Sequence, residues 1–138
     1  LYYYSNTIFS KEVAMLRFGI DNSSPVPAYQ QVKQSILIDL MSGRLSDGDR
    51  LPSIRELAKI LKLNPNTVAK AYYNLEEEGF IQGKRGSGYL VKYHKTKLDN
   101  LKLGILEDEF RSFLQKAFSM GFTRKDIEDL MRRLLNHE

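Results

Sequence analysis

Three short groups of residues in the middle of the chain have the types and spacing to bind a polyanion. Arg55 follows Ser53 at a helix start, where a guanidinium can reach a phosphate or the edge of a guanine. Asn64, Pro65, Asn66 and Thr67 open another helix. Free backbone N–H groups and the helix dipole favour phosphate there, and short hydrogen-bonding side chains suit the major groove. Lys70 lies on the outer side of that helix. Lys84, Arg85 and Gly86 form a third group, combining charge with backbone that can approach a ligand closely, as a minor-groove contact needs. Each group alone has a plainer reading as a solvated helix face, a helix start or a hairpin turn. Their order and spacing together are far more specific than any one of them.

Other chemistries find little support. The sequence has no cysteine, which removes disulfides, thiolate metal sites and cysteine nucleophiles. Its two histidines, His94 and His137, belong to no Ser-His-Asp arrangement and to no metal-spaced cluster. Glu76, Glu77 and Glu78 are adjacent, so on a helix they point in different directions and cannot act as a facing acid pair. The glycine-rich stretch Gly83-Lys84-Arg85-Gly86-Ser87-Gly88 lacks P-loop spacing and precedes no helix. An enzyme is not expected, nor a metal or other cofactor.

The charge distribution agrees with a polyanionic partner. The chain carries a net charge of +4 and a pI of about 9.2. Between Ser24 and Lys95 stand 11 Lys and Arg against 7 Asp and Glu, and the remaining residues hold 10 of each sign. The whole excess therefore sits in the segment that carries the three groups. At 138 residues the chain suits one domain with an appendage. No apolar run approaches the ~18 residues of a spanning helix, and Leu1–Phe9 has no basic start like that of a signal peptide. A cytoplasmic protein with no membrane partner is expected.

The elements that must position these groups can be read from periodicity and caps. Residues 1–23 read as an N-terminal arm; 1–14 lack helical period and are expected to lie upstream of a native start at Met15, an ordinary arm being the alternative. Ser24-Pro25-Val26-Pro27 is extended, because each proline disfavours helix at the residue before it. Tyr29, Val32, Ile36, Leu37 and Leu40 then recur at helical spacing up to about Met41, and Gly43 stops that helix. Arg44 to Pro52 reads as a turn at Asp47-Gly48 with short extended flanks. Ser53 and Glu56 spell a capping box for a second helix whose stripe is Ile54, Leu57, Ala58 and Leu61. Asn64 caps a third, with Pro65 at its first position and Val68, Ala71, Tyr72 and Leu75 inward. Gly79 ends it. Phe80–Gln82 and Tyr89–Val91 read as the two strands of a hairpin. Residues 94–102 read as a polar linker. Two amphipathic helices complete the chain: Leu106, Phe110, Phe113, Leu114, Ala117 and Phe118 stripe the first. Thr123 with Asp126 caps the second, striped by Ile127, Leu130, Met131 and Leu134. The fold class is mainly α with a small β-hairpin, a winged helix-turn-helix over 24–93 followed by a helical tail over 103–138.

The sequence also resembles the GntR family of bacterial transcription regulators. The resemblance runs through Pro27-Ala28-Tyr29-Gln30-Gln31-Val32, Gly43-Arg44-Leu45 and Gly48-Asp49-Arg50-Leu51-Pro52-Ser53-Ile54-Arg55-Glu56-Leu57-Ala58. It continues with Asn64-Pro65-Asn66-Thr67-Val68, Ala71-Tyr72, Leu75-Glu76, Glu78-Gly79 and Gly86-Ser87-Gly88-Tyr89, about half the chain. It implies a winged helix bound as a homodimer to a two-fold-related operator in double-stranded DNA. DNA contacts are implied at Ser53, Arg55, Asn64 to Thr67, Lys70, Arg85 and Gly86, beside Lys84 of the basic tip. The short C-terminal part is similar to that of the YtrA-like subfamily, which implies a tail of two helices used for dimerisation and control of transporter genes. The residues point the same way: two amphipathic helices are too few to bury both stripes, so Phe110, Phe113, Leu114, Phe118 and Leu130 are expected to meet a second subunit. The tail packing on its own winged helix is the alternative. A repressor is the expected function. A winged-helix protein-interaction module without DNA binding remains open, and no polar cluster points to a small-molecule effector.

Overall fold

A computed structural model describes residues 19–86 and 88–137. The expectation about 1–14 and Met15 lies outside them. Among the described residues, five helices and three strands follow one another as α1 (Ala28–Met41), β1 (Arg50–Leu51), α2 (Ile54–Leu61), α3 (Pro65–Glu77), β2 (Ile81–Lys84), β3 (Gly88–Val91), α4 (Lys95–Ser119) and α5 (Arg124–Leu135). Two compact units divide the chain, Leu1–Leu98 and Asp99–Glu138.

In the first unit, three helices and a small sheet close over one core. Val32, Ile36 and Leu40 of α1 are buried with Leu57 and Ala58 of α2 and Val68, Ala71, Tyr72 and Leu75 of α3. These are the inward positions that the 3.6-residue period selects. Leu45, Leu51, Phe80, Ile81 and Val91 complete the core from the loops and the sheet. Asp39 joins them, a carboxylate only 2% exposed whose Oδ1 accepts from Arg44 Nε at 2.7 Å. Its other oxygen finds no hydrogen-bond partner. The pair fastens the end of α1 to the loop that leads into β1.

The helix ends are built as their sequences dictate. Asn64 Oδ1 accepts from the N–H of Asn66 at 2.8 Å, with Pro65 in the first turn of α3. Gly79, at φ +83°, closes α3 in a Schellman motif: its N–H bonds Glu76 O and that of Phe80 bonds Leu75 O. Only the forward half of the box at α2 forms, Glu56 N–H donating to Ser53 Oγ at 3.1 Å. The turn between α2 and α3 is made by Lys62, the one non-glycine at positive φ among the described residues, at +57°.

The sheet is larger than the expected hairpin. Its order is β1-β3-β2, all antiparallel, with Arg50 opposite Leu90, Leu51 opposite Tyr89, and Ile81 to Lys84 opposite Val91 to Gly88. The extended flank before Pro52 thus becomes a third strand, which two residues of sequence cannot signal by alternation. Phe80 stands outside β2 because its N–H is committed to closing α3.

The expected linker over 94–102 is a correction: α4 runs unbroken from Lys95. The segment is polar, but it holds neither Pro nor Gly, and Lys and Leu are good helix formers. Leu98 and Leu101, three residues apart, share a half-buried face. In the second unit α4 continues into a helical hairpin with α5. Gly121 makes the turn at φ +93°. Thr123 and Asp126 form a full capping box: Asp126 N–H donates to Thr123 Oγ1 at 3.2 Å, and Thr123 N–H to Asp126 Oδ2 at 2.8 Å. Among the described residues of this unit only Ala117 and Ile127 are buried. Among the described residues no helix is long and apolar enough to cross a membrane.

Candidate nucleic-acid interface

All ten expected DNA-binding residues fall in the first unit, and the five expected interface residues of the tail fall in the second. Eight of the ten are exposed; Ser53 and Thr67 are half-buried, so nearly the whole set is accessible to a ligand. The three groups stand at the start of α2, on the outer face of α3, and at the turn between β2 and β3.

At the start of α2, Ser53 Oγ is used as a cap acceptor, which leaves its hydroxyl hydrogen to donate. Arg55 is exposed and forms no ion pair or hydrogen bond among the described residues. A guanidinium without a carboxylate partner keeps its full fork of donors for an anion.

On α3, the first turn holds no acidic residue, so nothing opposes the positive end of the helix. Pro65 and Asn66 are exposed and Thr67 and Ala69 half-buried. Lys70 is exposed, with its ammonium 4.1 Å above the ring of Tyr29 in α1. Such a cation–π contact is weak at an exposed site, about 0.5–1 kcal/mol, so the ammonium can swing to an anion at small cost. Further along the same face Tyr73 is 60% exposed. The Glu77 carboxylate, through a hydrogen bond and its charge, raises the pKa of that phenol above its ordinary value.

At the tip of the β2–β3 hairpin, Lys84 and Arg85 are exposed and likewise unpaired among the described residues. Gly86 has φ +81°, and a Cβ there would meet open space. The glycine therefore serves the backbone turn rather than packing, and it leaves the tip bare.

The three groups are tied through α3. Tyr72, fully buried, donates its hydroxyl to Pro52 O at 2.6 Å, next to the cap of α2. Its ring meets Tyr89 of β3 edge-on, centroids 4.9 Å apart. Glu76 accepts the N–H of Gly83 in β2 at 2.8 Å. The sequence marks Tyr72 as inward and separates the three glutamates, but it does not signal these links. The separation holds, since Glu76 faces β2, Glu77 faces Tyr73 and Glu78 pairs with Lys33 of α1. Only the repeating helical period, carried past Leu75, hints that Glu76 comes round toward the hairpin.

A helix-turn-helix whose second helix offers an uncharged, hydrogen-bonding first turn, followed by a basic hairpin, defines a winged-helix DNA-binding protein. The family profile described as "Bacterial regulatory proteins, gntR family" matches residues 28–91. The HTH-type transcriptional repressor YtrA of Bacillus subtilis is 35% identical over 116 residues, covering 83% of this chain and 89% of that protein. The chain belongs to the GntR family and is a DNA-binding transcriptional regulator of its YtrA-like subfamily. A solved transcriptional regulator from Oenococcus oeni is 28% identical with a TM-score of 0.77, covering 84% of this chain and 97% of its own. YtrA from Sulfolobus acidocaldarius, a GntR-family transcription factor, is 36% identical with a TM-score of 0.54 over 72% of this chain and 95% of its own. The Bacillus subtilis and Oenococcus oeni likenesses each cover more than four fifths of the chain, so both reach past residue 91.

Proposed function

We propose that the protein is a transcriptional repressor that binds a two-fold-symmetric operator as a homodimer. The observation that carries this reading is the set of exposed cations without ion pairs among the described residues, Arg55, Lys84 and Arg85, flanking an α3 whose first turn carries no carboxylate. In the proposed complex Asn64 to Thr67 and Lys70 enter the major groove. Ser53 and Arg55 hold a phosphate or a guanine edge, and Lys84, Arg85 and Gly86 follow the minor groove. Repression takes support from the Bacillus subtilis relative, a named repressor. The dimer takes support from the tail, where Phe110, Phe113 and Phe118 are 39%, 42% and 50% exposed, with Leu114 and Leu130 half-buried between them. Apolar surface of that extent on two helices asks for a second copy. Transporter genes are the proposed targets, on the subfamily resemblance.

The test is selection of duplexes from a random pool, followed by fluorescence anisotropy at two salt concentrations. Enrichment of a two-fold-symmetric sequence, bound more weakly at high salt, is the expected result. Failure to enrich any duplex at low salt, or salt-insensitive capture of a protein instead, would replace this reading with an interaction module. A reporter driven through the enriched sequence should fall in the presence of the protein and not rise.

A further inference from the structure

β2 of the wing lies at an edge of the sheet, because among the described residues it pairs only with β3. β3 is held between β1 and β2, whereas β2 has a strand neighbour on one side alone, and Lys84 to Gly86 at its end are exposed. Among the described residues, the side-chain hydrogen bond that reaches it from another element is Gly83 N–H to Glu76 Oε2, at 2.8 Å. Glu76 lies on α3, two turns beyond Thr67 and on the same helix as Lys70. The bond therefore joins the helix proposed for the major groove to the hairpin proposed for the minor groove.

The room for this bond is specific. A Cβ on Gly83 would lie 3.3 Å from Tyr89 Cε1 and 3.5 Å from Glu76 Oε2. Gly83 is not at positive φ, so its backbone does not call for glycine; a Cβ there would crowd the Tyr89 ring and stand at ordinary contact distance from Glu76. Tyr89 in turn rests on Tyr72 of α3. Gly83 thus stands close to a ring that rests on α3 and to a carboxylate that α3 carries.

We infer that Glu76 is a positioning residue for DNA binding, whose carboxylate clasps the Gly83 N–H and sets the wing at a fixed angle to α3. This rests on the proposed DNA-binding reading and adds to it a residue that touches no DNA. A carboxylate near a polyanion is otherwise a liability, and a surface charge with no partner would be better placed elsewhere. Its retention of a backbone N–H explains its position.

The test uses the full chain and the duplex enriched by selection. Glu76→Ala and Glu76→Gln both remove the charge, but only Gln keeps an acceptor for Gly83. Glu76→Gln should bind at least as tightly as the wild type, and Glu76→Ala about fivefold or more weakly than Glu76→Gln. Arg85→Ala should weaken the wild type and lower its salt slope by about one unit. On the Glu76→Ala background it should do much less, because a wandering wing no longer delivers Arg85. In the free protein, the Gly83 amide should exchange faster in Glu76→Ala than in Glu76→Gln. Equal affinities of the two Glu76 variants, or effects of Glu76→Ala and Arg85→Ala that simply add, would overturn the inference while leaving DNA binding in place. A wild type that binds no duplex would overturn both.

Discussion

Tyr72 shows how one side chain serves both core and site. Its ring is fully buried and its hydroxyl reaches a carbonyl 20 residues away in the chain, at Pro52. The helical period identifies the ring as inward, but it says nothing of the hydroxyl's target, because no local pattern encodes a contact between α3 and the cap of α2. Phenylalanine would keep the ring and leave Pro52 O without that donor. Tyr72→Phe should therefore lower stability by about 1–3 kcal/mol in chemical denaturation, the usual cost of a lost buried hydrogen-bond partner. A change near zero would show that the carbonyl is satisfied otherwise. Asp39 is the opposite lesson. Sequence alone does not mark it as buried, since carboxylates seldom are; only the fold brings Arg44 round to pair with it. Arg55, by contrast, was legible as a candidate from its place after a cap, and its exposure without a partner keeps that role open. Arg55→Ala should cost about 1–3 kcal/mol of operator binding if the guanidinium grips a base edge. Equal affinity of the variant in a titration would remove the assignment.

At the scale of elements, caps were read more accurately than boundaries. Ser53, Asn64, Gly79 and Thr123 each stand where composition and offset put them, because a cap is a local interaction between residues two or three apart. The start of α4 was not legible. Polarity over 94–102 imitates a linker, while a helix needs only the absence of breakers and a shallow apolar face. The Lys62 turn was not legible either, since a left-handed lysine carries no signature. The capping box of α5 gives a pH prediction. Hydrogen bonds from the Thr123 N–H and hydroxyl hold the Asp126 carboxyl below its ordinary value. The folded pKa is depressed, so the box contributes its stability above the unfolded value of about 3.9 and loses it as pH falls through the folded value. Amide protection in the first turn of α5 should be constant from neutral pH down to about pH 5 and drop below about pH 4. Asp126→Asn should flatten that dependence; an unchanged acid loss in the variant would assign it to another group.

At the scale of the molecule, the two units differ in the surface they offer. The positive excess lies in the first, which carries every candidate DNA contact, and the second carries the exposed phenylalanines. Both features were legible as composition and as stripes. How much of each stripe the tail covers by itself was not, because it depends on the packing of the two helices: Ala117 and Ile127 are buried, and Phe110, Phe113 and Phe118 stay exposed. Open apolar grooves remain on the hairpin, one of about 570 Å³ edged by Phe113, Met120, Phe122 and Leu130. An isologous contact across such a surface would seat the Phe113 ring of each copy against the other and place two recognition helices in a two-fold relation, as a palindromic operator requires. Phe113 is 42% exposed in the single chain, so a charge there has water to face and the fold should survive. Facing a second copy, the same charge would lose its water with no partner. Phe113→Glu should therefore retain the helical circular dichroism of the wild type while its mass by light scattering halves. Its affinity for the full two-fold site should fall toward that for a half-site. A variant that stays dimeric would move the interface off this face, and a monomer that still binds the full site as tightly as the wild type would show that the operator does not need the pair.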